Sequence, residues 1–211
     1  MQITKFGHSC LLIEENDIRV VTDPGIYSIL PSELSSIDLI LITHGHTDHL
    51  DVSALKNILT HNKTAQIFTN GSVGEVLLRE NIAFELLEDG QMKMIKGIET
   101  KGIGNNHASI HTDWPISQNT GYLLANKIFI PGDSFTELNT PIEILALPIS
   151  SPWNKLGESI DYAIKVKPKF CIPIHDGNML NALGSHKTVT TIIEKYGISF
   201  VELEIGKEVE I

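Results

Sequence analysis

Segments that would divide, export or anchor the chain are missing. No Gly/Ser-rich or Pro-rich stretch, low-complexity tract or fixed-period repeat interrupts the 211 residues, so neither a domain linker nor a repeat array is expected. The opening MQITKFGHSC has neither the charged start nor the apolar run of a secretory signal. The longest apolar run, around Ile37–Thr43, is far shorter than the roughly 20 residues a membrane-spanning helix needs. Cysteine is scarce: Cys10 and Cys171 lie far apart and form no CxxC pair. A cytoplasmic protein with reduced thiols and no membrane insertion is expected, both cysteines serving as core fillers. Basic residues are outnumbered, 16 Lys and Arg against 26 Asp and Glu, for a formal net charge of −10. Nucleic acid and anionic membrane need a positive field, so neither is an expected partner. A small-molecule substrate, even an anionic one, stays open, because bound cations reverse the potential locally.

What is present suits a compact fold. Apolar residues make up 42% of the chain, and its length stays below the roughly 250–300 residues at which single cores stop growing. Residues 1–211 therefore read as one domain. Short β-prone runs separated by turn residues fill the first part: Ile3–Phe6, Cys10–Glu14 and Arg19–Thr22. Asp38–Thr43, DLILIT, is almost continuously apolar, as a strand buried on both faces is. Helices are expected at Val52–Thr60, with Asp51 as N-cap, and at Ser72–Glu80, either side of a strand at Gln66–Thr69. Further strands follow at Phe84–Leu87, Met92–Ile95, Glu99–Ile103, Gly121–Ala125, Lys127–Pro131, Ile144–Leu147, Phe170–Ile174 and Phe200–Ile205, with helices at Ser159–Lys165 and Ser185–Lys195. Strand-rich halves with helices interspersed indicate a layered α/β arrangement.

The chemistry concentrates in His44-Gly45-His46-Thr47-Asp48-His49, directly after the buried DLILIT run. Three histidines and an aspartate within six positions offer the imidazole and carboxylate donors that borderline divalent metals prefer. At average residue frequencies a chance HxHxDH in such a chain is roughly a one-in-a-thousand event. A buried strand delivers His44 to the end of a sheet, and Gly45 is expected to let the backbone turn tightly there. Asp133 and His175 each follow a buried β run as well, so equivalent strand ends can bring them to the same place.

This HxHxDH pattern resembles the signature of the metallo-β-lactamase superfamily. The extended block HGHTDHLD is similar to the branch containing L-ascorbate-6-phosphate lactonase and N-acyl phosphatidylethanolamine phospholipase D. So are the opening Lys5-Phe6-Gly7-His8-Ser9-Cys10, Thr22-Asp23-Pro24, Gly132-Asp133-Ser134 and Ile172-Pro173-Ile174-His175. The resemblance implies an α/β fold, a four-layer αββα sandwich, with a two-metal site on one edge. It implies His44, His46 and His107 around one ion, Asp48, His49 and His175 around the other, and Asp133 bridging them. His111 competes with His107, which is preferred for its spacing to the following GYLL strand.

The expected reaction is hydrolysis of an ester, lactone or phosphodiester bond by a metal-bridging hydroxide, with Asp48 orienting the water or shuttling a proton. The cofactors are two divalent ions; zinc is favoured as the commoner occupant, and manganese or iron also suit such a site. The alternative is a non-catalytic metal-binding sensor or scaffold of the same fold. A flavodiiron protein would need a flavin domain, a transfer-RNA nuclease a basic arm, and an exported β-lactamase a signal. The resembling lactonases suggest a homo-oligomer. His8 reads as either a residue near the site mouth or a turn histidine, and Asp23 as either an anchor for the histidine loop or a turn former before Pro24. His61 and His186 read as solvated. Trp114, Trp153 and the loop Ser150–Asn154 are candidates for touching substrate, with simple packing an equal reading.

Overall fold

A computed structural model describes residues 1–211. The first half of the chain begins with β1 (Gln2–Lys5), β2 (Leu11–Glu15) and β3 (Ile18–Thr22), an antiparallel meander. Asn16 and Asp17, both at positive φ, close the tight turn between β2 and β3, where Asn and Asp tolerate the left-handed region. β4 (Leu39–Leu41), β5 (Gln66–Thr69) and β6 (Glu85–Leu86) then add in parallel, with helices α1 (Val52–His61) and α2 (Gly71–Arg79) as crossovers. The second half repeats this plan. β7 (Met92–Ile95), β8 (Ile98–Ile103), β9 (Gly121–Leu124) and β10 (Ile128–Ile130) are antiparallel; β11 (Ile144–Pro148), β12 (Phe170–Ile174) and β13 (Ser199–Phe200) are parallel, with α3 (Leu156–Val166) and α4 (Leu183–Ile193) between them. A last strand, β14 (Glu208–Glu210), crosses back to pair with β1, giving two seven-stranded sheets.

Side-chain alternation sets the layers. Leu39 and Leu41 of β4 and Ile144 and Ala146 of β11 fill the space between the sheets, with Tyr122, Leu124 and Ile172. Ile40 and Ile42 point the other way, onto Leu55 and Ile58 of α1 and Val73 and Leu77 of α2. Leu145 and Leu147 likewise meet Ile160 and Ala163 of α3 and Val189 and Ile193 of α4. The order is helix, sheet, sheet, helix: the four-layer sandwich. Both cysteines are buried and free within the helix–sheet layers. No helix is long and apolar enough to cross a membrane.

Three expectations need correction. The closing strand at Phe200–Ile205 is paired only over Ser199–Phe200. Gly206, at φ +75°, then turns the chain toward the other sheet, where β14 forms. α3 starts at Leu156, ahead of Ser159, because the Glu158 carboxylate accepts the Lys155 N–H at 2.7 Å and satisfies the first turn. His186 is not solvated: it is buried against Asp176, with Nε2 3.1 Å from Oδ2. His61 is exposed, and Asp51 caps α1 by accepting the Ser53 N–H.

Candidate metal centre

The C-terminal ends of β4, β8, β10 and β12 lead into the loops carrying His44 to His49, His107, Asp133 and His175. Each loop is fixed from outside the pocket. The Thr43 carbonyl accepts the Asn70 side-chain amide at 2.7 Å and the Thr120 N–H at 2.9 Å. Asn119 clamps the turn before Asp133: it donates to the Pro131 carbonyl at 2.9 Å and accepts the Asp133 N–H at 3.0 Å. Gly132 lies inside that clamp at φ +64°, where a Cβ would come within 2.3 Å of Asn119 Oδ1. Gly45 does not carry the tight turn expected of it: its φ is not positive and a Cβ there would only touch Val73 Cγ2 at 4.0 Å. The glycine the loop needs is Gly25, whose Cβ would collide with the Asp48 carbonyl at 1.8 Å.

Asp23 lies fully buried beneath the histidine loop, which makes it an anchor and not merely a turn former. It accepts the Thr43 N–H, the Thr43 hydroxyl and the His49 Nδ1–H, each at 2.8 Å. These partners decide tautomers. The Thr43 hydroxyl has given its proton to Asp23, so it accepts from His44 Nδ1 at 3.0 Å. His107 Nδ1 faces the Ala108 carbonyl and His175 Nδ1 the Ser150 carbonyl, so both donate there. Four imidazoles therefore keep their protons on Nδ1 and turn Nε2 lone pairs inward.

Those lone pairs meet carboxylate oxygens. His49 Nε2 is 3.0 Å from Asp133 Oδ1; His175 and His107 Nε2 are 3.0 and 3.3 Å from Asp133 Oδ2, and His44 Nε2 is 4.0 Å away. His44 Nε2 and Asp133 Oδ1 are buried with no hydrogen-bond partner. Buried acceptors facing one another with no donor between them call for a cation. Two donors about 2.0–2.2 Å from one tetrahedral ion lie about 3.3–3.5 Å apart, close to these separations. Donor atoms of His44, His46, His107 and Asp133 form one set, and those of His8, Asp48, His49 and His175 another, all within 4.8 Å of one another in each set. The residues fit a divalent metal, and Asp133 reaches both sets.

The electrostatics agree with this crowding. Burial, reinforced by His49, pushes the His44 imidazole well below its ordinary range, and burial with His107 lowers His46. Burial also opposes charge on His49, but the Asp133 and Asp23 carboxylates on its two nitrogens overcome this and hold it well above the usual imidazole range. Burial opposes charge on Asp133 too, yet His49 and the hydrogen-bonded His107 and His175 hold its carboxyl well below the usual range.

All seven side chains expected from the sequence thus lie together. His111 does not join them; it is exposed, 3.8 Å from Asp113. Two groups reach the pocket whose part was left open by sequence reasoning. His8 is wholly buried, with Nε2 3.2 Å from Asp48 Oδ2. Trp153 donates its indole N–H to Asp133 Oδ2 at 2.9 Å, and with the Ser150 carbonyl on His175 it makes the Ser150–Asn154 loop a support for the site. Their only sequence signals were the Gly7-His8-Ser9 turn after a strand and an aromatic in a Pro-containing loop. Trp114 is exposed and, with Ile110 and Ile116, lines a small cleft against His46 and His107.

The chain matches known proteins over most of its length. The family model described as Beta-lactamase superfamily domain matches residues 2–175. Protein Rv0786c of Mycobacterium tuberculosis is 33% identical over 184 residues, covering 83% of this chain and 84% of that protein. A UPF0173 metal-dependent hydrolase of Listeria welshimeri is 28% identical over 238 residues, covering 100% of both chains. Among solved structures, Igni18, a metallo hydrolase from the archaeon Ignicoccus hospitalis, superposes with a TM-score of 0.78 at 19% identity, covering 99% of this chain and 97% of that one. That likeness is one of fold.

Proposed function

Because the chain belongs to the metallo-β-lactamase superfamily, we propose that it is a metal-dependent hydrolase working with two divalent ions. The observation that carries this reading is the array of inward-facing imidazole nitrogens and carboxylate oxygens, centred on His44 Nε2 and Asp133 Oδ1, which are buried with no hydrogen-bond donor. His44, His46 and His107 would hold one ion and Asp48, His49 and His175 the other, with Asp133 within reach of both sets. Zinc is the favoured metal; manganese and iron suit the same nitrogen and oxygen donors. When bound, the ions supply an activated water and polarise the oxygen of the bond being cleaved. One domain, 1–211, supplies the whole site, and the name of the Listeria relative supports the hydrolase reading.

The protein's own groups orient the reaction. Asp48 lies at the pocket mouth, partly exposed, where its carboxylate can accept a hydrogen bond from the attacking water. Trp153 and Asn119 hold Asp133 in place through its side chain and its N–H. Ile110, Trp114 and Ile116 leave apolar surface exposed near His46 and His107, against which an apolar group of a small-molecule ester, lactone or phosphodiester would pack. The HGHTDHLD block supports a place near the branch with ascorbate-6-phosphate lactonase and N-acyl phosphatidylethanolamine phospholipase D. A sensor or scaffold would close its coordination with protein groups; here His46 and Asp48 stay open to solvent.

The test is a screen of lactones, aryl esters and bis-aryl phosphodiesters with protein loaded with zinc or manganese. Turnover of one class, lost in Asp133→Ala, is expected. No turnover of any class at full metal loading favours the sensor reading.

A further inference from the structure

We propose that His8 is a positioning residue that holds the Asp48 carboxylate by donating a hydrogen bond from Nε2, and that it is not a metal ligand. The part given to Asp48 rests on the two-ion reading above; the hydrogen bond does not.

Proximity alone would count His8 among the ligands, since a ring nitrogen of His8 lies with the donor atoms of Asp48, His49 and His175. Polarity argues otherwise. The Gly177 N–H donates to His8 Nδ1 at 3.2 Å. A backbone N–H can only donate, so Nδ1 presents its lone pair and the proton of the neutral ring lies on Nε2. His44, His49, His107 and His175 have the opposite arrangement: their Nδ1 atoms face acceptors and their Nε2 atoms carry lone pairs. His8 Nε2 is 3.2 Å from Asp48 Oδ2 and is the one hydrogen-bond donor that the structure gives to the Asp48 side chain.

The backbone is built to hold this imidazole. His8 itself adopts φ +40°, and Gly7 before it φ +105°; a non-glycine residue there is uncommon and needs surrounding support. The support is visible. The His8 carbonyl accepts the His175 N–H at 3.0 Å, tying the loop to the opposite wall of the pocket. Gly177 packs so closely that a Cβ would lie 2.6 Å from the His8 nitrogen. The ring has no exposed surface and is packed by His175, Tyr27 and His49, with ring centres at 4.1, 5.3 and 5.7 Å. Asp48, at the mouth, would otherwise be free to turn toward water.

The experiment titrates metal-free protein with zinc against a chelating dye. His8→Phe keeps the ring and removes the N–H; it is expected to weaken one of two zinc sites about 10–100-fold and leave the other unchanged. His8→Gln, whose amide can donate near the position of Nε2, is expected to recover most of that loss. Two unchanged affinities in His8→Phe would overturn the proposal, as would complete loss of one zinc from both variants, which is the behaviour of a lost ligand. Should His8→Phe fail to fold by circular dichroism, ¹⁵N spectra of wild-type protein labelled at histidine decide. They are expected to show, with zinc bound, the His8 ring (assigned through its backbone) protonated at Nε2 and unprotonated at Nδ1, against the opposite tautomer for His44, His49, His107 and His175. A His8 ring protonated at Nδ1 would overturn the proposal. No readout depends on turnover, so failure of the hydrolase reading would be seen separately, in the substrate screen.

Discussion

The two sides of the pocket are built from similar donors but are held differently. The side with His44, His46 and His107 is supported mostly from the backbone and from hydroxyls: the Ala108 carbonyl under His107, Thr43 under His44, and Ser117 3.3 Å from His46. The side with Asp48, His49 and His175 is supported by a buried imidazole and two loops, through His8 and the Ser150 carbonyl. Two carboxylates are common to both: Asp133 between the sets, and Asp23, which reaches His49 directly and His44 through Thr43. Shared supports should fail both sides together, and private ones should separate them.

Asp133→Ala should have the largest effect. It removes the group in reach of both sets, so both ions and all turnover are expected to be lost; elemental analysis after dialysis checks the metal. Retention of one tightly held ion would show the sides to be independent. Asp23→Ala should come next. It orphans three buried donors, each costing about 1–3 kcal/mol, and should weaken both ions about 10–100-fold. Thermal melts and zinc titration measure the two effects. Weakening confined to one ion would mean that Thr43 does not transmit the support to His44.

Acid should act more gradually, and the sides pull in opposite directions. His44 and His46 are depressed by burial and neighbouring imidazoles, so their contribution is present above the ordinary imidazole value and is lost as pH falls through the depressed folded value. His49 is raised by Asp133 and Asp23, so in metal-free protein its contribution is present at low pH and lost as pH rises through the raised value. Zinc requires every imidazole neutral. The gain in melting temperature on adding zinc should therefore vanish by about pH 5 and keep growing above neutral pH until the raised His49 value is passed. A gain independent of pH would contradict ligation by these histidines. Trp114→Ala should be the mildest change: KM raised about threefold to tenfold for substrates with an apolar group, with zinc affinity unchanged. A fall in zinc affinity would place Trp114 among the supports.

How much was legible follows from how local each signal is. Three imidazoles and Asp48 are contiguous and sit after a strand whose apolar run is unmistakable. Asp133, His107 and His175 are single residues after short strands, and the family pattern was needed to select them, His107 over His111 in particular. The polarity of His8 was not legible, because it is set by Gly177, far along the chain and close only in space. His186 looked solvated for the same reason: Asp176 and Phe200 bury it only once α4 has docked. The layered architecture came from alternating apolar positions, whereas β14 is an exposed Glu-Val-Glu with too little pattern to be noticed. Gly45 shows the reverse error, a glycine credited with a loop conformation that Gly25 makes possible.

The central claim is that two cations share Asp133. Anomalous diffraction at the zinc edge from crystals of zinc-loaded protein tests it most directly. Two peaks are predicted, one among His44, His46 and His107 and one among Asp48, His49 and His175, both within ligand distance of Asp133. No peak in this pocket, or a single peak out of reach of Asp133, would contradict it.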